Sequence, residues 1–250
     1  MILLKSTAEI DAMDQANRLV HRALVHVREA AAPGVTTWDL DQKAEALIRS
    51  EGGIPAFKGY RGFPGTLCIS INDVIVHGIP SRSVRLREGD LVSVDCGTVM
   101  DGFFGDAAIS FGVGRISEEV RRLMETTQKC LEDAVSEVRP NNRLGDVGAA
   151  VQRRAESAGY GVVRDFVGHG IGRSLHEDPQ VPNYGVAGRG QVMKPGLVIA
   201  IEPMITAGSW RVKVDDDGWT ARTEDGRIAA HFEFSVAVTE NGARVLGVEE

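Results

Sequence analysis

The sequence predicts an α+β fold made of two similar halves, and three observations predict it. The order of elements, helix, helix, then strands, occurs twice along the chain. Pro33 and Pro140, Asp39 and Asp146, Gly52 and Gly159, Gly89 and Gly196, and Asp95 and Glu202 all differ by 107 positions. Single matches of Pro or Gly mean little, but five in one register across several elements point to an internal repeat. The strand-rich stretches also carry a hairpin signal at Asp101-Gly102, which calls for antiparallel pairing.

The elements follow in order. Ser6-x-x-Glu9 is a capping box, and Ile10, Met13, Val20, Leu24 and Val27 recur at helical spacing until Pro33-Gly34, so a first long helix ends near residue 31. Thr36-x-x-Asp39 opens a second helix with Leu40, Ala44, Leu47 and Ile48 on one side, closed by Gly52-Gly53. Leu67–Ile71 and Val74–Val76 read as extended segments around an Asn72-Asp73 turn, and Leu91–Asp95 follows a Glu88-Gly89-Asp90 turn. The order then restarts. Ser117–Val138 predicts a helix that Pro140 breaks, and Leu144–Ala158 a second one closed by Gly159. If the repeat holds, Leu91-Val-Ser-Val and Val198-Ile-Ala-Ile are equivalent strands, ending in the equivalent carboxylates Asp95 and Glu202. The halves then run approximately 1–112 and 113–250 within one domain.

Composition narrows the function. With 250 residues, 43% hydrophobic and 25% charged, the chain can bury a full core and is of ordinary globular type. A net charge of -7 and a pI near 5.5 argue against nucleic acid as substrate, because phosphate binding needs a basic footprint. Met1 is followed by only three apolar residues before Lys5, too few for a signal-peptide core or a membrane span, so a cytoplasmic protein is expected. Cys68, Cys96 and Cys130 are odd in number and far apart, which leaves no C-x-x-C clip; any metal must be held by oxygen and imidazole.

Four carboxylates sit where strands are expected. Val94-Asp95 through Gly105-Asp106 reads as a hairpin: a two-residue turn pairs Gly97 with Asp106, a four-residue loop pairs Asp95 with Asp106, and both registers put the two aspartates on one face. Like charges that close need a cation or a proton between them. Glu202 ends the apolar run Leu197-Val-Ile-Ala-Ile, and Glu233 interrupts Ala230-His-Phe-Glu-Phe-Ser-Val, both settings in which an unpaired carboxylate is rare. Gly168-His169-Gly170-Ile-Gly172 leaves an imidazole unshielded among glycines, and His77 and His176 lie in similar Gly- or Pro-rich turns, where catalytic groups are often presented. Four carboxylates with one imidazole are too many for one tetrahedral zinc and suit two Mn, Fe, Co or Zn ions. Metal pairs about 3.5–4 Å apart activate water for hydrolysis, of an amide, an ester or a phosphoester.

Taken together, Val76-His77-Gly-Ile-Pro80, Asp95 through Asp106, Gly168-His169-Gly-Ile-Gly172 with His176-Glu-Asp-Pro179, Ile201-Glu202-Pro203 and Phe232-Glu233 resemble, in order and spacing, the bacterial type I methionine aminopeptidases. The resemblance covers nearly the whole chain. It implies the pita-bread fold, two pseudo-symmetric halves around a curved antiparallel sheet with helices on the outer face. It implies that Asp95, Asp106, His169, Glu202 and Glu233 hold two divalent metals, with Asp106 and Glu233 bridging and Glu202 also handling the proton of the attacking water. His77 and His176 would contact the scissile peptide, and Tyr60, Phe63, Cys68 and Trp219 would line the pocket for the methionine side chain. The implied reaction is removal of the initiator methionine when the next residue is small. The implied substrates are nascent polypeptide N-termini, met by a monomer with at most transient ribosome contact and no membrane partner. The chain departs from the family pattern at Phe63, where tyrosine is frequent, at Gly97 and Ala107, where threonines stand, at Leu175, where a larger side chain is usual, and at Phe234, where histidine often follows the glutamate.

Two rival readings share this pattern. A proline-specific peptidase of the same fold would keep the five ligands, but those relatives usually carry a separate amino-terminal domain, and here the first helix begins near residue 6. A non-catalytic binding module of the fold would be expected to lose ligands, whereas this chain keeps all five and both histidines.

Overall fold

The structure is a computed structural model that describes residues 2–248. Its first half runs α1 (Thr7–Ala30), α2 (Thr37–Ser50), β1 (Ile54–Pro55), β2 (Leu67–Ile71), β3 (Val74–Val76), β4 (Leu91–Met100) and β5 (Phe103–Gly112). The second runs α3 (Glu118–Ser136), α4 (Leu144–Ser157), β6 (Gly161–Val162), β7 (Gly168–Gly170), β8 (Glu177–Val181), β9 (Val198–Ile201), β10 (Met204–Thr206), β11 (Val212–Val214), β12 (Ala221–Thr223), β13 (Ala229–His231), β14 (Glu233–Thr239) and β15 (Gly242–Val245).

Local chemistry sets the helix starts. Both capping boxes form: the Ser6 hydroxyl accepts from the Glu9 N–H while the Glu9 carboxylate accepts from the Ser6 N–H, and Thr36 and Asp39 repeat the arrangement. At the equivalent place in the second half, Asp146 accepts from the Arg143 N–H. The 107-residue offset carries α2 onto α4 and β1 onto β6, and it carries the bridge between Thr36 and Arg85 onto that between Arg143 and Val192. Gly52 and Gly159 share φ values of 82° and 83°, and Gly89 and Gly196 share 89° and 90°.

A nine-stranded sheet spans both halves. Its order is β1-β4-β5-β14-β9-β7-β8, with β2 added on β4 and β15 on β14. Every pairing is antiparallel, and β14, from the second half, joins β5, from the first. Two large apolar clusters divide by half. One packs α1 and α2 on β2, β4 and β5 through residues such as Leu24, Leu40, Val92 and Val94; the other packs α3 and α4 on the second half through Leu123, Leu131, Val151 and Ile199. A third cluster joins the halves, with Met13, Phe63 and Phe103 against Ile171, Val198 and Leu246. Among the described residues no helix is long and apolar enough to cross a membrane.

Asn72, at φ 54°, turns the chain between β2 and β3 as expected; the two strands then part, β2 pairing with β4 while β3 joins β11 and β12 in a separate sheet. Two expectations need correction. The apolar stretch around Glu233 is two strands, with β13 in a small sheet beside β10 and β14 in the large one, and Phe232 lies at the break. The helix expected over Ser117–Val138 stops at Ser136, because Glu137 and Val138 close a turn onto Ala134 and Val135 before Pro140.

Candidate metal centre and substrate pocket

The β4–β5 hairpin settles the register of the two aspartates. Asp101 and Gly102 take φ values of 50° and 78°, the left-handed pair of a type I′ turn, so Met100 pairs with Phe103 and Gly97 with Asp106. Asp95 and Asp106 therefore project from one face as diagonal neighbours, close enough for their carboxyl groups to hydrogen-bond. Glu233 opens β14 opposite Ala108 and so reaches the same face from the adjoining strand. Glu202 follows the last residue of β9.

His169 is not an exposed turn residue: it is the centre of β7 and only 8% exposed. Its Nδ1 lies 2.9 Å from the Gly170 carbonyl oxygen, which can only accept, so Nδ1 carries the proton. The lone pair is left on Nε2, and that atom lies 3.7 Å from both Asp106 and Glu202. The side-chain donors of Asp106, His169 and Glu233 come within 4.8 Å of one another. With Asp95 on Asp106 and Glu202 on His169, all five residues singled out from the sequence converge on one point.

Electrostatics there are severe. Burial pushes the Asp95 carboxyl up to about 7. Burial first, and the neighbouring carboxylates second, lift Asp106, Glu202 and Glu233 well above the usual carboxylate range. One oxygen each of Asp95, Asp106 and Glu233 is buried without a hydrogen-bond partner. Orphaned buried oxygens with no cationic side chain among them are what a divalent ion would satisfy, and the oxygen and imidazole set suits Mn, Fe, Co or Zn.

A cavity of about 180 Å³ opens onto this cluster. Tyr60, Phe63, Cys68, His77, His176 and Trp219, each expected from the sequence, line it together with the five donors. The Phe63 and Trp219 rings meet edge to face at 5.1 Å, and Cys68 is 6% exposed, giving the cavity an apolar wall. His77 ends the extended run of β3 at φ 61°, with its ring 5.2 Å from Phe166 and 6.2 Å from Trp219. Burial lowers it to about 4, so it is neutral near pH 7. The His176 ring lies 4.2 Å from that of His169, and its Nδ1 is 2.8 Å from the Tyr60 hydroxyl.

The site also draws in groups that the sequence did not single out. Phe57 and Arg61 line it; Arg61 is a cation at its edge, over the Tyr60 ring at 5.4 Å. His231 is buried with Nε2 4.0 Å from Glu202, and burial lowers it to about 3. Its position two residues before Glu233, on the same side of an extended chain, was the available signal. The departures from the family pattern also have physical counterparts. A Cβ on Gly97 would lie 2.6 Å from Phe57 Cε1, so the phenyl ring fills the space a threonine would need. Ala107 is fully buried in the first-half core, Leu175 is 2% exposed in the cluster joining the halves, and Phe234 packs against His21 at 5.9 Å.

The model of metallopeptidase family M24 matches residues 11–240. The chain belongs to that family. It is 49% identical to a methionine aminopeptidase of Clostridium acetobutylicum over 246 residues, 98% of each chain. It superposes on the crystal structure of the Thermotoga maritima methionine aminopeptidase with a TM-score of 0.98 and 46% identity, covering 100% of both chains. The prolidase of Pyrococcus horikoshii shares the fold at a TM-score of 0.80, but at 24% identity and with 65% of that chain covered. The M24 chain described here is therefore a metalloaminopeptidase with the pita-bread fold, and family membership implies a divalent metal cofactor.

Proposed function

We propose that this M24 enzyme removes the N-terminal methionine from polypeptides whose second residue is small, using two divalent ions held by Asp95, Asp106, His169, Glu202 and Glu233. The observation that carries this is a single cavity lined both by the five convergent carboxylate and imidazole groups and by an apolar, sulfur-bearing wall. The similarity to methionine aminopeptidases over full chain lengths supports the substrate. Asp106 and Glu233 would hold the ions together with Asp95, His169 and Glu202, and Mn, Fe, Co and Zn all suit the donor set. Bound ions would polarise the scissile carbonyl and lower the pKa of the attacking water.

The chain's own residues supply the rest. Phe63, Cys68 and Trp219 take the unbranched thioether side chain, which excludes water and fixes the first peptide bond against the donors. Glu202 accepts the proton of the attacking water and passes it to the leaving amine. The Tyr60 hydroxyl lies 2.8 Å from His176 Nδ1; with the hydroxyl as donor the His176 proton sits on Nε2, where it can donate to the developing oxyanion. His77, kept neutral by burial, holds the scissile amide. Phe57, Leu175 and His176 also line the cavity, and its small volume of about 180 Å³ favours a small second residue. The whole described chain acts as one catalytic domain, working as a cytoplasmic monomer on new polypeptides, with any ribosome contact made by that domain.

Steady-state hydrolysis of Met-Ala-Ser, Met-Ile-Ser and Ala-Pro peptides by the manganese- or cobalt-loaded protein tests the proposal. Met-Ala-Ser should be cleaved far faster than the other two; a preference for Ala-Pro would move the chain to the proline peptidases.

A further inference from the structure

Both backbone hydrogen-bonding groups of Asp106 are held by buried side chains. Asn17 lies in the middle of α1 at 0% exposure, although asparagine is disfavoured in helix interiors because its amide competes for backbone groups. Here the amide is used twice. Its Oδ1 accepts from the Asp106 N–H at 3.1 Å, and its Nδ2 donates to the Met13 carbonyl at 2.9 Å. The Ser235 hydroxyl, also 0% exposed, donates to the Asp106 carbonyl at 2.8 Å.

These bonds replace a missing strand. The N–H and C=O of one residue in an antiparallel strand point the same way, and at Asp106 both point away from β4. The pairing of β5 with β14 covers only Ala107 and Ala108, so no ladder partner reaches Asp106. Buried backbone groups left unpaired are costly, and Asn17 and Ser235 satisfy them. The helix is held in register beside this point. A Cβ on Gly105 would lie 2.7 Å from the backbone of Ala16 and of Asn17, so only glycine lets α1 approach so closely. The Thr98 hydroxyl donates to the Ala16 carbonyl at 2.9 Å.

We propose that Asn17 and Ser235 are positioning residues that clamp the Asp106 peptide and so aim its carboxylate at the metal centre. The inference rests on the metal assignment above. Asp106 shares one face of the sheet with Asp95 and Glu233. A strand residue with loose backbone bonds is free to turn on that face, whereas one whose N–H and C=O are both held stays aimed. The clamp thus lowers the reorganisation needed for metal uptake.

The test uses the full chain, stripped of metal and titrated with manganese, with free Mn(II) followed by EPR. Asn17→Ala and Ser235→Ala should each weaken manganese binding about ten-fold, at the low end of what outer-shell partners contribute. They should also shift the visible absorption bands of the cobalt-loaded protein. Thr127→Val removes a comparable buried hydroxyl bond, to Leu123 at 2.8 Å on α3, far from the site; it should lower the melting temperature and leave both metal readouts unchanged. If Asn17→Ala gives no cooperative melt, Ser235→Ala carries the same comparison. Wild-type manganese affinity and cobalt spectra in folded variants lacking the Asn17 or Ser235 bond would overturn the clamp. A wild-type chain that takes up neither metal would instead remove the metal assignment, and the clamp's purpose with it.

Discussion

Lys5→Met should damage the enzyme at a distance. The Lys5 ammonium lies 2.6 Å from Glu177, with the two side chains 6% and 11% exposed, and it also donates to the Leu3 carbonyl at 3.0 Å. Glu177 in turn accepts from the Arg173 and Ser174 N–H groups at 2.9 and 3.2 Å, and it directly follows His176 in the chain. The pair thus ties the amino-terminal segment to the loop that presents His176. Methionine keeps most of the lysine stem but leaves a buried carboxylate without its cation, which typically costs about 3–5 kcal/mol. Two N–H donors remain on Glu177, so the lower end, about 3 kcal/mol, is expected. For a chain of this size that is a fall of roughly 6–12 °C in melting temperature. A loosened loop misplaces the His176 imidazole, and kcat/KM on Met-Ala-Ser should drop by about ten- to a hundred-fold. The assays are thermal denaturation of the metal-loaded protein and steady-state hydrolysis. Glu177→Gln in the Lys5→Met background removes the stranded charge and should recover much of the stability. A melting point within about 2 °C of wild type for Lys5→Met, or a double variant no more stable than the single one, would refute this account.

Tyr60→Phe removes the hydroxyl beside His176 Nδ1 and frees the ring to take either tautomer; kcat should fall about ten-fold with KM little changed, as read from initial rates. Gly97→Thr should cost about 1–3 kcal/mol by overpacking against Phe57, and Phe57→Leu in the same chain should restore part of the lost melting temperature. Burial depresses His21, whose Nε2 is buried without a partner; the stability this neutral ring contributes is complete above the unfolded pKa near 6.5 and lost as pH falls toward the folded value. His21→Leu should therefore have a melting temperature that falls less than wild type between pH 7 and pH 5, and parallel pH profiles would contradict it. Removing metal with EDTA should lower the melting temperature and abolish turnover, with both restored by manganese.

Where local chemistry decides an element, the sequence was enough. Capping residues marked the starts of α1 and α2, and the repeat offset carried the bounds of α2 onto α4. The hairpin register stayed open because Asp101-Gly102 permits more than one loop length; only the left-handed backbone at both residues decides it. What sequence could not show was which sheet a strand joins. The run from Ala229 to Thr239 alternates like one strand, but the change of partner at Phe232 depends on β10 and β5, far off in the chain. The candidate site divides in the same way. The carboxylates and His169 stood out as polar or glycine-flanked residues, whereas Asn17 and Ser235 gain meaning only from neighbours far off in the chain.

The proposed metal donors do not all belong to one lobe. Asp95 and Asp106 come from the lobe built on α1 and α2, and His169, Glu202 and Glu233 from the one built on α3 and α4. An ion lodged there would work as a rivet through the seam, adding to the shared sheet and the apolar cluster that already join the lobes. Cellular metal supply would then bear on how long the protein survives as well as on how fast it works.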